Sequence, residues 1–354
     1  MDSNTFRWLH ISDFHAGMTG ANKKWDQVRK KFLDDISNFI KQNGSIDLVI
    51  FSGDLTQAGE KEEFAYLLSE LKGIWARFSE LGCNPTLFCV PGNHDFTRPK
   101  TGTPVALAIS NWSTAVEEHF LEKGSFYSGE LNNIFKEYTK FTEDLTKVGI
   151  PFQADYSGAL PGDSSCVITV RGNRIGLVGL NTAWSQWKSG DMKRHLLISE
   201  QQISLVLPTP LDDWSQNNDI SLLVTHHPYD WLTDECQEIF KNYINPLGAF
   251  SGHLFGHMHE STAKFENYGH ETNKVSLQAA SLFGLEKYSE KKFDRRHGYY
   301  YGQVNFGTEK LKYWPRKAEL MSGAGGWKIA PETASLPEGS FETGEIPFQT
   351  KKKT

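Results

Sequence analysis

Leu48-Val49-Ile50-Phe51-Ser52-Gly53-Asp54 decides the fold of this chain of 354 residues. A short apolar run with β-branched members reads as a buried strand. Gly53 lets the backbone turn sharply, and Asp54 stands just past the strand. In open α/β sheets, ligands gather beyond the carboxyl ends of strands. The same layout recurs along the chain. Upstream, Trp8-Leu9-His10-Ile11 leads into Asp13-Phe14-His15. Downstream, Thr86–Val90 leads into Gly92-Asn93-His94-Asp95, and Ile220–Thr225 leads into His226-His227-Pro228. Gly256-His257-Met258-His259 closes the series.

Around these motifs, short apolar runs alternate with helix-period stretches, the pattern of a layered α/β domain. Further strands are expected at Cys166–Val170, Arg174–Leu180, Lys274–Ala279, Tyr299–Phe306 and Lys310–Tyr313. Trp25, Val28, Phe32, Ile36, Phe39 and Ile40 recur at steps of three or four and form one apolar stripe of a helix. A second helix is predicted over about Glu60–Leu81 and another over about Asp230–Tyr243. Ser199 and Gln202 make a capping-box start for one more. Residues 97–163 are expected as a helical insertion holding two helices, about Val105–Leu121 and Leu131–Val148. That insertion either packs on the flank of the domain or caps the site. Residues 1–315 are read as one domain. The stretch 316–354, with Gly323-Ala324-Gly325-Gly326 and Lys351-Lys352-Lys353-Thr354, is read as a linker or disordered tail, with room for a further domain or partner beyond it.

Composition narrows the class. No apolar run approaches the roughly 18 residues of a membrane span. Cys83, Cys89, Cys166 and Cys236 have no paired spacing, which fits a reducing cytoplasm better than a disulfide framework. A formal charge of −6 argues against tight non-specific nucleic-acid binding.

The motif residues supply metal-ligand chemistry. Asp13 and His15 stand at i, i+2, as do His257 and His259, so each pair can face one direction along an extended chain. Asp54 has two oxygens and can bridge two cations. Asn93 offers an amide oxygen and His226 an imidazole. The seven side chains combine two carboxylates, one amide and four imidazoles without a thiolate. Two divalent ions so held would be Mn, Fe or Zn rather than Ca or Mg, with positions left open for water and a phosphate oxygen. His94 is suited to proton donation or charge stabilisation beside the phosphate. Asp95 either orients and charges His94 or braces the loop. His227 is expected either behind the metal ligands or facing the substrate, and Tyr229, Trp231 and Trp184 are candidate substrate contacts that could stack a base. His10 and His253 are expected in supporting or core positions.

The combination Asp13/His15, Gly53-Asp54, Gly92-Asn93-His94-Asp95, His226 and Gly256-His257-Met258-His259 resembles the calcineurin-like metallophosphoesterases. The resemblance implies a four-layer αββα sandwich. It implies one ion on Asp13, His15, Asp54 and His259, and a second on Asp54, Asn93, His226 and His257. It implies in-line attack by a bridging hydroxide, with His94 helping the leaving group. Gly53-Asp54-Leu55-Thr56-Gln57-Ala58-Gly59 resembles the bacterial cyclic-nucleotide and glycerophosphodiester phosphodiesterase branch. The expected substrate is a small phosphodiester or nucleotide. A DNA or RNA nuclease of the same family is the alternative, and a non-catalytic metal-bound sensor a third.

Overall fold

The structure, a computed structural model, describes residues 4–18, 21–188, 190–259, 261–268, 272–282, 286–289, 292–294, 297–321 and 326–351. The first unit is β1 (Thr5–Ile11), α1 (Ala21–Asn43), β2 (Leu48–Phe51), α2 (Lys61–Glu80) and β3 (Thr86–Cys89). The insertion follows as α3 (Pro104–Ser110), α4 (Thr114–Leu121), α5 (Phe126–Ile134) and α6 (Lys136–Lys147). Next come β4 (Tyr156–Ser157), β5 (Ser164–Val170), β6 (Asn173–Gly179), α7 (Glu200–Val206), α8 (Leu211–Gln216), β7 (Ile220–Val224), α9 (Asp234–Ile239) and β8 (Gly252–Phe255). The chain continues through β9 (Thr262–Tyr268), β10 (Thr272–Gln278), β11 (Glu286–Ser289), β12 (Lys292–Asp294), β13 (His297–Asn305), β14 (Lys310–Leu320), β15 (Trp327–Pro331) and β16 (Gly344–Pro347).

Among the described residues these strands build two large sheets and one short hairpin. One sheet runs β15-β14-β13-β1-β2-β3, with β16 also on β14, and the other β4-β5-β6-β7-β8-β10-β9. Strand alternation explains the layering. Phe6 and Trp8 of β1, Leu48 and Ile50 of β2, and Phe88 of β3 point inward, against Leu177, Leu222, Leu254 and Leu277 of the other sheet. Leu9, Val49, Phe51 and Leu87 point outward, against Phe32, Ile36 and Phe39 of α1 and Leu67 and Leu71 of α2. The second sheet's outer face carries Val178 and Leu223 under α7, α9 and part of the insertion. The result is the expected αββα sandwich. β1, β2 and β3 run parallel, as do β6, β7 and β8. Every motif therefore leaves its strand at a carboxyl end.

The insertion holds four helices, not two. Ser113 accepts the Val116 backbone N–H at the start of α4 and breaks the expected Val105–Leu121 helix, and the expected Leu131–Val148 helix is divided at Phe135, between α5 and α6. Of its aromatics, Phe135 packs against Phe96, with ring centres 4.6 Å apart, Phe141 of α6 beside Phe64 of α2, and Phe120 of α4 against Trp184.

The boundary expected at 315 falls inside β14. That strand continues antiparallel to β13, with Ala318 opposite His297. β16 pairs with β14, Leu311 opposite Ile346, and Phe348 is buried in the inter-sheet core. The described part of 316–354 therefore carries strands, because apolar residues spaced among its lysines and glutamates find partners in the sheet. Gly323, Ala324, Gly325, Lys352, Lys353 and Thr354 lie outside the described residues.

Candidate metal centre

The five loops converge. Asp13 N donates to the Gly53 carbonyl at 2.9 Å, and His15 N to the Asp54 carbonyl at 3.0 Å, which zips the loops after β1 and β2 together. His257 N donates to Asp13 Oδ2 at 3.1 Å and ties in the loop after β8. His94 N donates to Asp54 Oδ1 at 2.8 Å and ties in the loop after β3. Gly53, at φ +95°, lies under the His226 ring, which a Cβ there would meet at 2.5 Å. A side chain at this position would push the ring away from the cluster.

All seven expected ligand residues meet here. His226 Nδ1 sits 2.8 Å from the Ser52 carbonyl, which can only accept, so this nitrogen carries the hydrogen. That leaves Nε2 for the cluster. Nε2 lies 3.3 Å from Asp54 Oδ2, 3.1 Å from Asn93 Oδ1 and 3.2 Å from His257 Nδ1. Four lone-pair atoms thus point at one place, where a proton can serve one of them and a cation all four. His259 Nε2 lies 3.2 Å from Asp13 Oδ1. His15 Nε2 lies 3.9 Å from both Asp13 Oδ1 and Asp54 Oδ2. Both His15 ring nitrogens are buried without a hydrogen-bond partner. Orphaned buried polar atoms are costly, and a cation among them removes the cost. Asp13, His15 and His259 form one such group, Asp13, Asp54 and His226 a second, and His226, His227 and His257 a third, each with donor atoms within 4.8 Å of one another. The residues fit a pair of divalent ions.

The electrostatics agree. Burial would raise the carboxyl pKa values of Asp13 and Asp54, yet the surrounding imidazoles reverse it and hold both below the ordinary carboxylate range. Burial pushes His15 down to about 4 and His257 down to about 3, keeping both neutral with a lone pair to give. His226 is the exception. Burial opposes its charge, but Asp54 outweighs burial and raises it to about 9. Its extra proton sits where a metal would displace it.

His94 is half-buried, with Nδ1 2.7 Å from the Gln57 carbonyl. The hydrogen is again on Nδ1, so Nε2 faces the site. Asp95 does not touch that ring. Its Oδ2 accepts from Gly92 N at 2.7 Å and Leu55 N at 3.1 Å. Its Oδ1 accepts from Thr56 N at 2.8 Å and Thr56 Oγ1 at 3.0 Å. Of the two roles expected for Asp95, these are the contacts of a brace.

Three substrate candidates are buried. His227 is buried inside the cluster, with Nε2 2.8 Å from Gln186 Oε1 and 3.2 Å from Asn93 Oδ1, and Nδ1 3.0 Å from Thr182 Oγ1. Trp231 is buried edge-on against the His257 ring, centres 4.0 Å apart, and supports that ligand ring. Trp184 is buried under the insertion, 5.1 Å from Trp112 and 5.6 Å from Phe120. Their large apolar areas drew all three inward. Tyr229 is half-buried and lines a cavity of about 560 Å³ with Lys241 and Met258. His10 and His253 are core histidines, hydrogen-bonded to Ser52 Oγ and Thr225 Oγ1 at 2.8 Å each. Thr182 and Gln186 were missed, although Thr182 follows the end of β6, where the strand-end rule would have found it. Gln57, reached through its backbone carbonyl, carries no side-chain signal.

Fold and site together define a layered α/β protein whose parallel strands end in a cluster of carboxylates and imidazoles that could hold metal ions. Residues 6–261 match the model of the calcineurin-like phosphoesterases, and the chain belongs to that family of metal-dependent phosphoester hydrolases. Solved structures similar to it include a purple acid phosphatase from yellow lupin (Lupinus luteus) seeds, 12% identical, covering 97% of this chain and 54% of the lupin chain, with a TM-score of 0.47. The sulfate thiohydrolase SoxB of Thermus thermophilus is 11% identical over 98% of this chain and 58% of its own, TM-score 0.39. Vps29 of Chaetomium thermophilum is 13% identical over 92% and 94%, TM-score 0.32. The chain thus spans about half the length of the lupin protein. No curated protein matches it. Among the described residues, no helix is long and apolar enough to cross a membrane.

Proposed function

We propose that this chain is a dinuclear phosphodiesterase acting on a small, nucleotide-type diester. The observation that carries the reading is the meeting of His226 Nε2, Asp54 Oδ2, Asn93 Oδ1 and His257 Nδ1 at one point, with the half-buried His94 ring beside Asp54. We assign one ion to Asp13, His15, Asp54 and His259, and the other to Asp54, Asn93, His226 and His257. Bound there, the ions (Mn, Fe or Zn by the donor set) would supply hydroxide at neutral pH and neutralise charge on the phosphoryl oxygens. The protein's own groups do the rest. Asp13 and Asp54 hold their charge because imidazoles surround them. His94, fixed through Nδ1–H by the Gln57 carbonyl, turns Nε2 to the leaving oxygen and, as the imidazolium, gives it the Nε2 proton, returning to the neutral ring. The Gly53–Gly59 stretch supports a diester substrate, since it resembles the phosphodiesterase branch and its Gln57 carbonyl is what orients His94. A cytoplasmic location fits the cysteines, all four buried as free thiols.

The test is hydrolysis of bis(4-nitrophenyl) phosphate by protein loaded with Mn, Fe or Zn. Turnover is expected, and His94→Ala should lower kcat by about 10²–10⁴ at unchanged metal content. Absence of turnover with every metal refutes the reading. Faster turnover of 4-nitrophenyl phosphate points to a monoesterase, and degradation of oligonucleotides to a nuclease.

A further inference from the structure

Arg98 has no part in the site as described so far. Its Nη2 donates to the Asn93 carbonyl at 3.1 Å, so the guanidinium stands beside the backbone of a candidate ligand. Among the described residues no carboxylate pairs with it, and the charge that acts on it is that of Asp54. It is half-buried and lines a cavity of about 290 Å³ together with Gln57, Glu60, Asn93, His94 and Thr97. That volume is at the lower edge of small-molecule sites, about 300–1,000 Å³, and suits one compact substituent.

We propose that this cavity takes the leaving-group side of the substrate, and that Arg98 selects leaving groups carrying an oxyanion. The inference rests on the phosphodiesterase reading. If His94 protonates the leaving oxygen, whatever is bonded to that oxygen lies in the cavity His94 lines. The cavity's one guanidinium can then reach it. Arg98 Nε is buried without a hydrogen-bond partner, so the guanidinium has donor capacity left for an anion in this cavity. A planar guanidinium is suited to two parallel bonds to a carboxylate or phosphate. Glu60 lines the same cavity, is exposed, and has the opposite sign. The preference for an anion is therefore the balance of Arg98 over Glu60, and each can be altered separately.

The experiment compares bis(4-nitrophenyl) phosphate with bis(4-carboxyphenyl) phosphate on the metal-loaded full chain. The two leaving groups differ in carrying a carboxylate, and their intrinsic reactivities cancel in each variant-to-wild-type ratio. Arg98→Ala should raise KM for the carboxyphenyl ester at least tenfold more than for the nitrophenyl ester, with a smaller effect on kcat. Arg98→Lys should lie between, and Glu60→Gln should lower KM for the carboxyphenyl ester alone. Equal ratios for the two esters in Arg98→Ala and Glu60→Gln overturn the inference while leaving the phosphodiesterase reading intact. No wild-type turnover of either ester defeats that reading, and the inference with it. Should Arg98→Ala fail to fold, Arg98→Lys and Glu60→Gln decide the question by the same comparison.

Discussion

Asp95→Asn removes one charge and one acceptor from the brace between the loops after β2 and β3. The carboxylate takes four hydrogen bonds, two on each oxygen. Asparagine keeps one oxygen. Its cheaper orientation leaves that oxygen on Leu55 N and Gly92 N and turns the NH₂ toward Thr56. The Thr56 hydroxyl can adapt, because it reaches the His94 carbonyl at 3.0 Å and can donate there while accepting from the amide. Thr56 N–H cannot adapt. Stranding one buried donor costs about 1–3 kcal/mol, and each surviving bond loses roughly 1 kcal/mol when its acceptor becomes neutral. Relief comes from removing a charge that burial, and then Asp54, disfavour, the pair that raises the Asp95 pKa to about 7. The net cost is about 2–5 kcal/mol. At about 2.1 cal/mol/K per residue, a chain of 354 residues should lose about 3–7 °C in Tm. The assay is thermal unfolding of chelator-treated protein, followed by metal titration and a pH–rate profile of the reloaded enzyme. Lower Tm, weaker metal binding and an unmoved profile are expected. An unchanged Tm with a displaced profile would refute the brace, since it would mean that Asp95 acts on the His94 ring.

Gly256→Ala puts a methyl group into Ser12 and 2.8 Å from Asp13 Oδ2. Asp13 must move, so metal content and kcat/KM should fall, the latter by about 10²-fold for a displacement near 1 Å. Elemental analysis and kinetics check it, and full metal content with normal turnover contradicts the packing. Trp184→Ala empties a site that is 2% exposed, which costs about 3–5 kcal/mol, while KM for bis(4-nitrophenyl) phosphate should stay within about twofold of wild type. A tenfold rise in KM at unchanged Tm would restore Trp184 as a substrate contact.

The sandwich's centre was legible because its strands are short β-branched runs buried on both faces, and the motif residues stand where those runs stop. β9 escaped reading for the opposite reason. Thr262–Tyr268 closes one edge of its sheet, and Lys264 and Glu266 interrupt its apolar residues. The pairing of β16 joins β14 to residues more than thirty positions away, and no local pattern encodes that. Partners at long range also kept Asp95 open, since Leu55 and Thr56 lie 40 and 39 residues upstream. Adjacent histidines misled in another way. Alternation along an extended strand directs only one of His226 and His227 inward, but the chain has already left β7, and Thr182 and Gln186 draw the second ring in as well.

The backbone itself marks the site. Among the described residues, eight that are not glycine have positive φ, and five of them are candidate ligands: Asp13 at 53°, His15 at 49°, Asp54 at 51°, His257 at 71° and His259 at 55°. Aspartate and histidine tolerate this region better than most residues, yet each instance costs about 1–2 kcal/mol. Five together approach the net stability of a whole domain, about 5–15 kcal/mol. Such strain persists only where the surroundings over-determine it. Here the zipped loops do so, through Asp13 N on Gly53 O, His15 N on Asp54 O and Gln57 N on Ala16 O. Left-handed residues after β1, β2 and β8 turn the chain sharply there, and their side chains meet those from the loops after β3 and β7. The fold therefore holds its carboxylates and imidazoles face to face. Rigid, converging carboxylates and imidazoles are what a pair of divalent ions requires.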